Sequence, residues 1–147
     1  MLSSSLEEYL EIICTMKEEK GQIKPLEISQ ELQVPLSRVI QAIQRLHYQK
    51  YLIYSPYKPL EITDKGREMG QYLLARNKLI EEFLNFLGVE ENFESELEAM
   101  KQYLSVPSIE TIEKFILFTR QYPEVEQRYK KYSKKKTGVS ILPRPPE

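Results

Sequence analysis

A mainly α fold is predicted: a winged helix-turn-helix with a small β-hairpin wing, followed by an all-helical dimerisation region. Three features predict it. Short helical segments flank a tight break at Gln33-Val34-Pro35. Two β-rich segments bracket the proline-braced tip Ser55-Pro56-Tyr57-Lys58-Pro59. A long helical pattern then runs from Lys65 to Leu87. Helix, helix, turn, helix, hairpin, long helix is the order of a winged helix-turn-helix.

Each element has its own signal. The first helix opens at Ser4 or Ser5, with Glu7 and Glu8 three residues later at the capping-box spacing. Leu6, Tyr9, Leu10, Ile13 and Met16 recur at helical spacing, and Lys20-Gly21 ends the run with a cation and a glycine. Pro25 opens a short second helix, with Leu26, Ile28 and Leu32 as its apolar side. The third helix spans about Leu36 to Tyr48. Val39, Ile43 and Leu46 point one way, and Arg38, Gln41, Gln44 and Arg45 point others. Tyr51-Leu52-Ile53-Tyr54 and Leu60-Glu61-Ile62-Thr63 read as the strands of the wing. Thr63 or Asp64 caps the long helix, and Gly88 stops it. Two shorter helices are expected at about 92–104 and 108–121, the second capped by Ser108 after Pro107. From Pro123 the chain is polar, Lys-rich and then Pro-rich, so a frayed or disordered tail is expected. The predicted division is a winged-helix DNA-binding domain over 1–63, a helical dimerisation domain over 64–122 and a basic tail over 123–147.

Composition narrows the function. With 147 residues, 41% of them hydrophobic, the chain can bury one ordinary core or a small domain plus an extension. No apolar run reaches membrane-spanning length, and the N-terminus lacks a signal-peptide pattern, so a cytoplasmic protein with no membrane partner is expected. A single cysteine, Cys14, excludes an internal disulfide and a cysteine metal cluster; among Ile12, Ile13 and Met16 it reads as a small core residue. The lone histidine, His47, sits near the end of the third helix and suits a structural role. With one histidine and no evident triad, an enzyme is not expected. Net charge is −1, but it is unevenly spread: −4 over residues 1–34, +3 over 35–70, −4 over 71–120 and +4 over 121–147. The first basic block coincides with the third helix and the wing.

In a winged helix the third helix enters the major groove and the hairpin touches flanking backbone. The helix is expected to lead with its N-terminal residues, which makes Ser37, Arg38 and Gln41 candidate DNA contacts, with Gln44 one turn further on. Serine suits phosphate, arginine suits guanine or phosphate, and glutamine can take adenine bidentately. Tyr57 and Lys58 at the wing tip suit backbone contact. Lys130-Lys131 and Lys134-Lys135-Lys136 would either add non-specific DNA affinity or solubilise the tail. The apolar stripe Leu73, Leu79, Ile80, Phe83, Leu84 and Leu87 exceeds what a thin helical layer can bury, so a homodimer is expected. The reading is a repressor that binds double-stranded DNA. The rival from another class is a winged-helix protein-interaction module.

The runs Ser5-Leu6-Glu7-Glu8-Tyr9-Leu10-Glu11-Ile12-Ile13, Leu60-Glu61-Ile62-Thr63-Asp64-Lys65-Gly66 and Leu79-Ile80-Glu81-Glu82-Phe83-Leu84-Asn85-Phe86-Leu87-Gly88-Val89 carry a resemblance. It is to the manganese transport regulators, within the diphtheria toxin repressor family of metal-dependent repressors, and it covers roughly residues 4–121. It implies a homodimeric repressor without a third, SH3-like domain. It also implies a metal site built from an acid at position 8, glutamates at 11, 98 and 101, and histidines at 77 and 102. This chain has Glu8, Glu11, Asn77, Glu98, Lys101 and Gln102 there. Imidazole favours transition metals and an ammonium repels them, so no metal cofactor is expected. Lys101 is expected either to bond Glu11 and Glu98 in its place, tying the two halves together, or to point to solvent beside a decayed site. The alternative is a repressor that keeps Mn2+ or Fe2+ on Glu8, Glu11 and Glu98.

Overall fold

In the computed structural model, which describes residues 2–135 and 140–147, seven helices and one two-stranded hairpin follow one another. The first helix, α1 (Ser4–Lys20), is capped by Ser3 and not by Ser4 or Ser5. Ser3 is extended, and its hydroxyl accepts from the Leu6 N–H at 3.2 Å, which leaves the two later serines inside the first turn. Gly21 ends the helix at φ 78, as expected. The second helix, α2 (Pro25–Leu32), starts at its proline and is ended by Gln33 in a left-handed conformation. Only Ile28 of its predicted apolar side is buried; Leu32 is half-buried and Leu26 is exposed. The third helix, α3 (Leu36–Tyr48), has the predicted range and buries Val39, Ala42, Ile43 and Leu46.

The wing strands β1 (Leu52–Ile53) and β2 (Glu61–Ile62) are antiparallel, with Leu52 opposite Ile62 and Ile53 opposite Glu61. They are shorter than predicted because their flanking residues bond elsewhere. Leu60 donates its N–H to the Ile23 carbonyl at 3.0 Å, and the Thr63 hydroxyl donates to the Lys50 carbonyl at 2.6 Å. The same hydroxyl caps α4 (Asp64–Leu87), accepting from the Gly66 N–H at 3.0 Å. Gly66 is required at this crossing, since a Cβ there would collide with the Tyr51 carbonyl. Gly88, left-handed at φ 80, closes α4 as predicted.

The next helices are α5 (Phe93–Tyr103), α6 (Val106–Gln121) and α7 (Pro123–Lys134). Ser105 and not Ser108 caps α6: its hydroxyl accepts from the Ser108 N–H at 3.4 Å, and Pro107 sits in the first turn, where no N–H is needed. The expectation of a frayed tail from Pro123 is wrong for its first part. Residues 123–134 are helical, anchored by Tyr129, which stacks on Phe86 at 5.4 Å and donates its hydroxyl to the Leu87 carbonyl at 3.2 Å. Lys136 of the tail's lysine run lies outside the described residues.

Two apolar clusters organise the chain. The first gathers α1, α2, α3, the wing base and Leu73 of α4; the second gathers Ile80 and Leu84 of α4 with Leu97 and Ile109. The stripe on α4 assigned to a partner chain is therefore largely covered from within: Leu73, Ile80 and Leu84 are buried, Leu79 and Phe83 half-buried, and Leu87 alone exposed. Phe83 meets Phe115 edge-to-face. Open apolar residues in the helical half include Val106, Leu117 and Phe118 of α6, with Tyr122 against Phe118.

Candidate functional site

Two groups of residues stand out, one on the surface of α3 and the wing, the other where α1, α4 and α5 meet. Because α3 spends one side on the core, Ser37, Arg38, Gln41, Gln44, Arg45 and Tyr48 all face outward. Among the described residues, Arg38, Arg45, Lys50 and Lys58 enter no ion pair, so their charge is open to a partner. At the wing tip the Lys58 N–H donates to the Ser55 carbonyl at 3.2 Å, and Tyr57 adopts φ 65, projecting its ring fully into solvent. The base of the wing is fixed to the end of α3. His47 Nδ1 accepts from the Tyr54 N–H at 3.1 Å, which gives the lone histidine the structural role expected of it. Lys65 donates to the Gln49 carbonyl at 2.9 Å and lies over the Tyr51 ring. Each of the six predicted DNA contacts is exposed, and the base of the wing is braced against the end of α3.

The second group is a chain of charges. Arg76 of α4 is only 8% exposed. Its Nη1 donates to Glu7 Oε2 at 3.0 Å and its Nη2 to Glu11 Oε1 at 3.4 Å, both on α1. Lys101 of α5 donates from Nζ to Glu11 Oε2 at 3.4 Å and to Glu98 Oε1 at 3.2 Å. These are the two partners the sequence predicts for Lys101. Asn77 turns its Oδ1 to Arg76 Nε at 3.3 Å and Nη2 at 3.2 Å. Glu8 and Gln102 join Ser4, Ser5 and the charged side chains around a small cavity of about 210 Å³. All six positions of the metal pattern therefore fall in one neighbourhood, but with two cations at its centre. Among the described residues, no three His, Cys, Asp or Glu side chains are grouped so as to hold a metal ion.

Sequence reading overlooked Arg76. Its signal was present: Leu73, Arg76 and Ile80 fall at i, i+3 and i+7, so a cation sits on the stripe that faces the core. A guanidinium there must meet carboxylates, because an unpaired buried charge is costly.

The family described as "Iron dependent repressor, N-terminal DNA binding domain" matches residues 1–60. The one described as "Iron dependent repressor, metal binding and dimerisation domain" matches residues 63–130. The HTH-type transcriptional regulator MntR of Geobacillus kaustophilus is 39% identical over 113 residues, covering 76% of this chain and 80% of the relative. MntR of Bacillus pumilus is 35% identical over 136 residues, covering 92% and 94%. The crystal structure of the metal-dependent transcriptional regulator MtsR matches 77% of this chain with a TM-score of 0.70 at 24% identity. The chain spans 54% of that longer protein, so the likeness is one of fold.

Proposed function

The chain belongs to the iron-dependent repressor family, and from that premise we propose that it is a homodimeric transcriptional repressor joined internally by Arg76 and Lys101 instead of a transition metal. It reads double-stranded DNA with Ser37, Arg38, Gln41 and Gln44 of α3 while Tyr57 and Lys58 of the wing hold the backbone. In a symmetric dimer the two copies of α3 meet successive major grooves, about 34 Å apart. The open apolar residues Val106, Leu117 and Phe118 supply contact area for the second subunit.

The observation that carries the metal-free reading is the state of Glu11. One of its oxygens faces Arg76 and the other faces Lys101, each at 3.4 Å. In the family pattern this glutamate is a ligand, and residues 63–130 match a metal-binding domain. The donors present do not fit that group. Both histidine positions hold amides, Asn77 and Gln102, and a glutamate position holds Lys101. A divalent ion about 4 Å from the ammonium would be repelled by roughly 8 kcal/mol at an effective dielectric near 20. Arg76 and Lys101 together tie α1, in the DNA-binding half, to α4 and α5.

The test is DNA binding with the metal controlled. A duplex is selected from a random-sequence library, and its affinity is measured in chelator and in added Mn2+ or Fe2+, for wild type and Lys101→Ala. Equal wild-type affinity in both conditions, reduced in Lys101→Ala, is expected. Binding that requires added metal would overturn the metal-free reading and favour a cation held by Glu8, Glu11 and Glu98. Metal-independent binding untouched by Lys101→Ala would remove only the bridge.

A further inference from the structure

Going beyond the N-terminal contacts of α3, and resting on the repressor reading, we infer that α3 lies lengthwise in the major groove and that Tyr48 and Arg45 grip phosphate at its C-terminal end. Ser37, Gln41, Gln44 and Tyr48 are spaced i, i+4, i+7 and i+11, so they form one line along the helix. That line is about 16 Å long at 1.5 Å per residue. It is opposite the buried residues Val39, Ala42, Ile43 and Leu46.

An end-on helix would use only the first turns of this line and leave Tyr48 far from DNA. The far end, however, is built like a contact surface. Tyr48 is 87% exposed. Beside it, Gln41, Gln44, Arg45, Tyr48 and Gln49 shape a shallow cleft of about 380 Å³. Arg45 enters no ion pair among the described residues. The Tyr54 N–H bond to His47 and the Lys65 bond to the Gln49 carbonyl hold this end against the wing and the start of α4, so little backbone freedom is left to lose on binding. The chemistry divides along the line. Gln41 and Gln44, at its middle, have the paired donor and acceptor that read adenine. The Tyr48 hydroxyl and Arg45 guanidinium, at its end, suit phosphate, which fixes register without reading sequence.

The experiment uses the full chain. A duplex is selected from a random library by wild type, and affinities are then measured by fluorescence anisotropy across a salt series. Tyr48→Phe, which removes one exposed hydroxyl and leaves the core untouched, should lower affinity about tenfold. A repeat selection with Tyr48→Phe should return the same sequence. Arg45→Ala should weaken all duplexes alike and reduce the salt slope by about one unit. Gln44→Ala should change preference at one base pair. Wild-type binding by both Tyr48→Phe and Arg45→Ala, with loss only in Arg38→Ala, means end-on entry and overturns the inference while leaving the repressor reading intact. A wild-type protein that retains no duplex overturns both.

Discussion

Arg76 and Lys101 both bond Glu11, yet their removal should not cost the same. Arg76 is nearly buried and serves Glu7 and Glu11, whose side chains are 22% and 12% exposed. Arg76→Ala leaves Glu7 without a partner and Glu11 with Lys101 alone, while both carboxylates stay largely out of water. Breaking a buried pair from one side typically costs about 3–5 kcal/mol. Lys101→Ala leaves Glu11 its bond to Arg76, and Glu98 is exposed enough for water to replace the ammonium. About 1.5–3 kcal/mol, the worth of a hydrogen bond to a charged group, bounds that loss from above. Lys130→Ala, which breaks the exposed i,i+4 pair with Glu126, should cost under about 1 kcal/mol.

The assay is urea unfolding followed by circular dichroism, with all variants at one protein concentration, because dimer stability depends on it. The expected order of loss is Arg76, then Lys101, then Lys130. Arg76→Lys keeps the charge but loses the forked geometry and should fall between wild type and Arg76→Ala. Equal destabilisation by Lys101→Ala and Arg76→Ala would show that Arg76 is not the dominant buried cation of this cluster. Arg76→Ala within about 1 kcal/mol of wild type would show the same.

Three other outcomes are expected. Gly66→Ala forces a methyl into the Tyr51 carbonyl at the α4–wing crossing and should cost at least about 1–3 kcal/mol in the same unfolding assay. Burial, helped by Glu18 and opposed by Arg67, pushes the Cys14 thiol from its ordinary 9.0 up to about 11. The unfolded chain then releases this proton first as pH rises, so the contribution to stability is intact below pH 9.0 and is lost toward about 11; Cys14→Ala should flatten that part of the stability–pH curve relative to wild type. The triple variant Asn77→His, Lys101→Glu, Gln102→His restores the family's ligand types and should gain thermal stability in Mn2+, by about 2.7 kcal/mol at a hundredfold excess over Kd, whereas wild type should gain none.

Sequence and structure agree most where a local rule decides the outcome. Pro25 at the start of α2, Gly21 and Gly88 at helix ends, and the 3.6-residue period of α3 all act within a few residues, and all were legible. Misreadings arose where neighbours compete. Ser3, Ser4 and Ser5 are chemically equivalent caps, and the extended backbone that selects Ser3 is not written in the residue type. The same holds for Ser105 against Ser108. Tail helix α7 was missed because its composition is mostly polar, and its anchor, Tyr129 on Phe86, is a long-range contact. At the charge cluster, the pairing of Lys101 with Glu11 and Glu98 was legible from the ligand pattern, since Glu98 is one helical turn from Lys101. Arg76 lies outside that ligand pattern, so its place on the core-facing stripe of α4 signalled a buried cation but not which carboxylates it meets.

On the proposed reading, exchanging a metal for built-in cations changes what the protein can sense. A bound metal stabilises the linked conformation by an amount that grows with its concentration, which is what makes such a site a detector. Arg76 and Lys101 are covalently attached, so their effective concentration at Glu11 is constant. The link between α1, α4 and α5 then persists at every metal level. A signal that releases DNA must act elsewhere or must break these bonds directly. Of the bonds, the one to Lys101 is the weaker point. Lys101 is 16% exposed, its partner Glu98 is open to solvent, and a cavity of about 210 Å³ lies beside it. Arg76, buried against two carboxylates and Asn77, is the fixed end of the chain of charges. Any modulation of this link should therefore appear first as a change in the Lys101 contacts, with those of Arg76 intact.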